Sequence, residues 1–211
     1  VFLRKRLSFE CAKPPKRRPL PTPFDMPNHS YRMARHGLGG FMDICYVCSD
    51  EEKRTDAVLC AVAEALSAKG VRLAGTLQPP AARHSGEQCH IVLSLLPDGE
   101  LRDISVPLSP EVTGCRLDPG ALEQAVLVVQ DRVADAHALI ANKFGKQEAA
   151  GRGLVPAIGE ACERGIPVLV GLSPQWRAAF LAFADGRAHE CPADEAQILS
   201  WLREACSQAA L

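Results

Sequence analysis

Between Asn142 and Arg152 the chain sets Lys143, Lys146 and Arg152 beside Asn142 and Glu148, with Gly145 in the middle of the run. A lysine brings a compact charge with three donors, and an arginine brings a planar fork of N–H groups. Together they suit a tetrahedral dianion such as molybdate, sulfate or phosphate, each charge-assisted hydrogen bond contributing about 1.5–3 kcal/mol. Glu148 is expected to orient Lys146 or Arg152 instead of meeting the anion. A positive φ at Gly145 would make the turn depend on that glycine. Arg116, in the turn Gly114–Gly120, is one more cation for the same edge, weighed against a surface salt bridge to Asp118. The competing reading of the whole segment is a solvated connection whose charges only keep it wet.

A second stretch invites a phosphate. The loop after the first apolar run, Cys48–Thr55, holds Ser49, Lys53, Arg54 and Thr55 where a phosphate-binding loop would lie. Such loops need glycines so that backbone N–H groups can close on the phosphate. None is present, and Asp50, Glu51 and Glu52 would repel the ligand. Only Arg54-Thr55 echoes the usual Lys-Ser/Thr ending. The carboxylate that would hold Mg²⁺ beside a nucleotide is replaced by Asn142-Lys143, an amide and a cation. Both halves of a hydrolytic nucleotide site are therefore missing.

No nucleophile–base pair stands out. Ser49 has no histidine near it in sequence, and His84, His90, His137 and His189 stand singly. Trp176 and Trp201 fall in helical stretches as packing anchors. The nine cysteines are odd in number and scattered, so reduced thiols and a cytoplasmic setting are expected. In the one close pair, Cys45 and Cys48, residues three apart on a strand face opposite sides, a poor chelate. No metal site is expected.

These residues need a frame. Asp43–Val47 and Val71–Leu77 read as strands around a helix at Thr55–Lys69, which has apolar residues at helical spacing and an early start that Ser49 or Asp50 can cap. Cys89–Leu96 and Glu100–Val106 flank Pro97-Asp98-Gly99 as a β-hairpin. A helix follows over about Gly120–Val133. A short strand, Ala138–Ala141, then breaks at Asn142 into the polar turn. A helix at Leu154–Arg164 leads to Ile166–Leu172, the continuous apolar run of a central parallel strand. A helix at Pro174–Ala184, an extended piece near His189–Cys191 and a last helix at Asp194–Ala209 complete the chain. The expected fold is α/β, a three-layer sandwich with a mostly parallel sheet and a hairpin insertion.

At 211 residues, one such domain over 41–211 has a sizeable core. Residues 1–40, with KPPKRRPLPTP, show neither strand nor helix period and read as a disordered basic, Pro-rich extension. Met42 directly before the first strand favours an over-extended gene start. The formal net charge of -1 points to neither nucleic acid nor an anionic membrane. No apolar run nears the roughly 20 residues of a membrane span.

The strand order, the hairpin after the second strand, and the turn Asn142-Lys143-Phe144-Gly145-Lys146-Gln147-Glu148 are similar to the small nucleoside-triphosphatase family of P-loop proteins, in which that turn reads Asp-Glu-x-Gly-Lys-x-Glu. More closely, GCRLDPGAL (Gly114–Leu122), NKFGKQEAAGRGL (Asn142–Leu154) and GIPVLVGL (Gly165–Leu172) resemble bacterial domain-of-unknown-function family 2478 over about Asp43–Arg203. The resemblance implies a degenerate P-loop-like scaffold. It also implies a setting among molybdate-uptake and molybdoenzyme genes, whose products are candidate partners, and it brings no established activity. No cofactor is fixed; molybdate or a nucleotide are the candidate ligands. The resulting expectation is a non-hydrolysing anion- or nucleotide-binding or regulatory protein of molybdenum metabolism. Two alternatives stand beside it: a nucleoside-triphosphate phosphohydrolase or phosphotransferase with an unconventional site resting on Arg54-Thr55, and an interaction module using residues 1–40 or the hairpin.

Overall fold

A computed structural model describes residues 44–51, 53–79, 90–106 and 116–209. The N-terminal extension, Glu52, His84, Cys89 and the Gly114-Cys115 part of the arginine-bearing turn lie outside them.

Seven strands form one sheet: β1 (Ile44–Cys48), β2 (Leu73–Leu77), β3 (Val92–Leu96), β4 (Glu100–Asp103), β5 (Ala138–Phe144), β6 (Val168–Leu172) and β7 (Ala188–Cys191). Their order is β4-β3-β2-β5-β6-β1-β7. The five strands from β2 to β7 in that order run parallel, and the β3–β4 hairpin adds two antiparallel strands beside β2. The helices are α1 (Arg54–Ser67), α2 (Pro119–Val133), α3 (Lys146–Ala149), α4 (Val155–Glu163), α5 (Arg177–Ala184) and α6 (Glu195–Ala209). One apolar cluster joins α1 and α6 to Cys45, Val47, Leu73, Leu77, Ile140 and Leu169 of the sheet. On the opposite face α5 brings Phe180 against Tyr46 and Phe144. The expected three layers and the mostly parallel sheet are present.

Local chemistry explains several boundaries. Asp118 accepts from the N–H groups of Gly120 and Ala121, so it caps α2, with Pro119 in the first turn. The hairpin is fastened to α2 by Arg132, which donates to the Leu96 carbonyl and to Asp98, both at 2.7 Å. Within β6, Gly171 lets α1 come close. A Cβ there would lie 2.6 Å from a Leu59 methyl and 2.7 Å from Asn142 Oδ1.

Other boundaries differ from the sequence-based expectation. Helix α1 starts at Arg54 with Lys53 in the left-handed region and no side-chain cap. Ser49 Oγ instead accepts from the Glu51 N–H, holding the preceding loop. Strand β5 does not break at Asn142 but continues to Phe144, its register against β6 shifting between Asn142 and Phe144. The polar residue is tolerated because its side chain finds a buried partner, as described below. The helix at 174–184 begins as a 3-10 turn over Pro174–Trp176.

The reduced-thiol expectation also needs correction. Cys45 and Cys191 form a disulfide across β1 and β7, their Cα atoms 6.2 Å apart. Cys48, Cys60, Cys162 and Cys206 are free thiols. Parallel pairing of two strands 146 residues apart brings the bonded cysteines to one face, a proximity that spacing along the chain does not reveal. Cys48 takes no part, in keeping with the opposite-face reading of the close pair.

Candidate functional site

The Asn142–Gly153 segment is built around Glu148. Its carboxylate is buried; Oε2 accepts from the Gly145 N–H at 2.9 Å and Oε1 from the Leu154 N–H at 3.1 Å. Glu148 therefore ties the two ends of the turn together and does not orient Lys146 or Arg152. Burial pushes its pKa up, against the pull of those N–H donors, and the Glu123 carboxylate adds to the rise. Glu123 in turn accepts from the Gly153 N–H at 3.0 Å. The glycine that the turn requires is Gly153, with φ +58 and a Cβ position 2.1 Å from Glu148 Oε1. Gly145, at φ −143, lies outside the left-handed region. Gln147, which sequence reasoning passed over, accepts from Arg152 Nε at 3.1 Å and holds that guanidinium along the turn.

This turn forms one wall of a cavity of about 320 Å³ at the carboxyl ends of β2 and β5. Thr76, Gln78, Lys143, Lys146 and Gln147 give it polar groups, and Leu93, Ile104 and Leu122 make the opposite side apolar. Lys146 is solvent-exposed. Arg152 and Arg116 are exposed too, but neither lines the cavity. The backbone at Arg116 joins the hairpin, its carbonyl accepting from the Val106 N–H. Asp118, weighed as its salt-bridge partner, is engaged in capping α2. The cations of the proposed oxyanion set are thus not convergent: Lys143 and Lys146 share the cavity, while the two arginines stand outside it.

Lys143 also reaches a second cleft of about 280 Å³, lined with Ser49, Lys53, Thr55, Asp56 and Ser173, beside the loop between β1 and α1. There Lys143 Nζ lies 3.5 Å from Asp56 Oδ1. Asn142 Nδ2 donates to the same oxygen at 3.1 Å. Asp56 is only 5% exposed and sits in the first turn of α1, where the helix dipole favours a carboxylate. It is the site residue that sequence reasoning missed; its position directly after Arg54-Thr55 was the available signal. Asn142 is sealed in the interior, its Oδ1 without a hydrogen-bond partner and its carbonyl accepting from Thr76 Oγ1 at 3.1 Å. Arg54 donates to the Ala193 carbonyl at 3.3 and 3.0 Å, bracing the approach to α6 instead of facing the cleft.

His90 is not isolated. Its Nδ1 lies 2.7 Å from Asp103 Oδ2 and 3.4 Å from Ser105 Oγ, while Ser105 Oγ also donates to Asp103. A catalytic triad needs the imidazole between hydroxyl and carboxylate, one ring nitrogen to each. Here one nitrogen meets both and the serine proton goes to the acid, so the cluster is a hairpin brace. Burial is the largest single influence on Asp103 and opposes its ionisation, but the Ser105 and His90 hydrogen bonds together outweigh it and lower its pKa.

The fold and this site define a class: a P-loop-like α/β protein in which an internal Asp56–Lys143 ion pair joins the first turn of α1 to the end of β5. Within that class the chain belongs to the DUF2478 family, described as a protein of unknown function, whose model matches residues 44–201. It is also similar to the molybdenum import ATP-binding protein ModC 2 of Bradyrhizobium diazoefficiens, 32% identical over 154 residues, which is 72% of this chain and 17% of that protein. The chain thus spans about a sixth of that relative's length. No solved structure matches it.

Proposed function

We propose that this protein is a non-hydrolysing oxyanion- or nucleotide-binding module with a regulatory role in molybdenum metabolism. The observation that carries the reading is the Asp56–Lys143 pair. A lysine engaged with a buried carboxylate neither cradles a γ-phosphate nor leaves that carboxylate free for Mg²⁺, and no glycine in Cys48–Thr55 supplies backbone donors. What stays accessible is the cavity bordered by Lys146, with the side-chain amides of Gln78 and Gln147 as donors of hydrogen bonds to an anion. The molybdenum context comes from the similarity to the import protein's matched segment. Because that segment is a small part of a long protein, a component of molybdate uptake or a molybdoenzyme is the partner proposed.

The test is a thermal-shift series with molybdate, tungstate, sulfate, phosphate, ATP and GTP, run with a Mg²⁺-dependent phosphate-release assay. One of these anions should raise the melting temperature without phosphate release, and Lys146→Ala should weaken its binding by about 1.5–3 kcal/mol, the scale of a charged hydrogen bond. Phosphate release that disappears in Lys146→Ala would overturn the reading.

A further inference from the structure

Strand β7 runs parallel to β1 with His189 opposite Cys45 and Cys191 opposite Val47. Side chains two apart on a strand share a face, so His189, Cys191 and Cys45 meet on the side covered by α6. Their ligand atoms lie within 4.8 Å of one another. Cys45 is fully buried and Cys191 nearly so, whereas His189 is exposed. Trp201 of α6 packs edge-on against the imidazole, ring centroids 5.4 Å apart, and restricts its orientation. Glu190 points the other way, into a cluster with Tyr46 and Arg177.

Two thiols and an imidazole are a donor set for a borderline-soft divalent cation, and three protein ligands leave one coordination position open. A tetrahedral zinc ion with bonds of about 2.3 Å to sulfur and 2.0–2.1 Å to nitrogen places its ligand atoms roughly 3.6–3.8 Å apart. Cysteines with Cα atoms 6.2 Å apart reach that spacing by side-chain rotation once their bond is opened. We infer that Cys45, His189 and Cys191 form a zinc-type cation site when the disulfide is reduced, so that the β1–β7 edge alternates between a covalent and a metal cross-link. Opening requires two electrons and two protons. A phosphine supplies the electrons, water gives its oxygen to phosphorus and its protons to the two sulfurs, and phosphine oxide leaves. Binding of the cation then releases the thiol protons to solvent.

The experiment uses the full chain, reduced with a water-soluble phosphine and titrated with cobalt(II) as a spectroscopic probe. One cobalt per chain should bind with a sulfur-to-cobalt charge-transfer band that zinc displaces. Cys191→Ser should abolish the band and Cys48→Ser should leave it unchanged. His189→Ala, an exposed position expected to fold normally, should weaken binding by at least the roughly 10–100-fold that loss of an outer-shell partner costs. A reduced chain without the band, a band that survives Cys191→Ser, or unchanged affinity in His189→Ala would overturn the assignment. So would a thiol count showing that the phosphine cannot open the bond.

Discussion

Glu148 and Lys143 show how residues that look like ligands in a sequence become part of the scaffold. Glu148 satisfies two N–H groups of a turn in which Gly153 has no room for a side chain. Because its folded-state pKa is raised, the folded protein holds the proton more tightly than the unfolded chain, and stability falls as pH rises through the window above 4.5. Glu148→Gln cannot titrate, and it turns an NH₂ toward one of the two donors, which costs about 1–3 kcal/mol. Urea melts from pH 4 to 8 should therefore show the wild type losing its advantage over Glu148→Gln as pH rises; an advantage that grows with pH would mean a lowered pKa. For Lys143, the expected cost of Lys143→Met is about 1–3 kcal/mol. That is below the range for a fully buried pair, because the Lys143 side chain is 32% exposed. In an Asp56→Asn background the same change should cost markedly less, and equal costs in the two backgrounds would show that the two charges are not coupled.

At the scale of elements, the turn depends on how β5 ends. Phe144 is fully buried and packs on Phe180 at 5.2 Å and Phe183 at 5.5 Å. Phe144→Ala should lower unfolding stability by about 3–5 kcal/mol, while Lys146→Ala leaves stability nearly unchanged. Gly153→Ala should also destabilise, since φ +58 and the Glu148 carboxylate both oppose a Cβ. A melting temperature unaffected by Gly153→Ala would mean that the Glu148 clamp is not rigid. Most elements were legible in the sequence because their apolar periods are strong: α1, α2, the hairpin around Asp98-Gly99 and the continuous β6 run all lie within a few residues of their expected places. The end of β5 was not, because Asn142 and Lys143 look like a loop until Asp56, far away in sequence, is seen to receive them.

For the molecule as a whole, a mostly parallel sheet with a hairpin insertion was readable from alternating strands and helices. Pairings between distant strands were not. The meeting of Cys45 with Cys191, and of α1 with the β5 turn, depends on sheet order, which no local pattern specifies. For the same reason the candidate cations were recognised as a set, yet only Lys143 and Lys146 line one cavity. No helix among the described residues is long and apolar enough to cross a membrane.

The central claim is binding without turnover, and one titration tests it most directly. Calorimetry of the full chain against molybdate, ATP and GTP, with Mg²⁺ present and free phosphate measured in the same samples, should give saturable binding of at least one of them. That binding should weaken with added salt, since exposed charges are screened over about 8–10 Å at 0.1–0.15 M, and it should weaken by about tenfold or more in Lys146→Ala, with phosphate at background throughout. Steady phosphate release from either nucleotide, or no heat with any of the three ligands, would contradict the account.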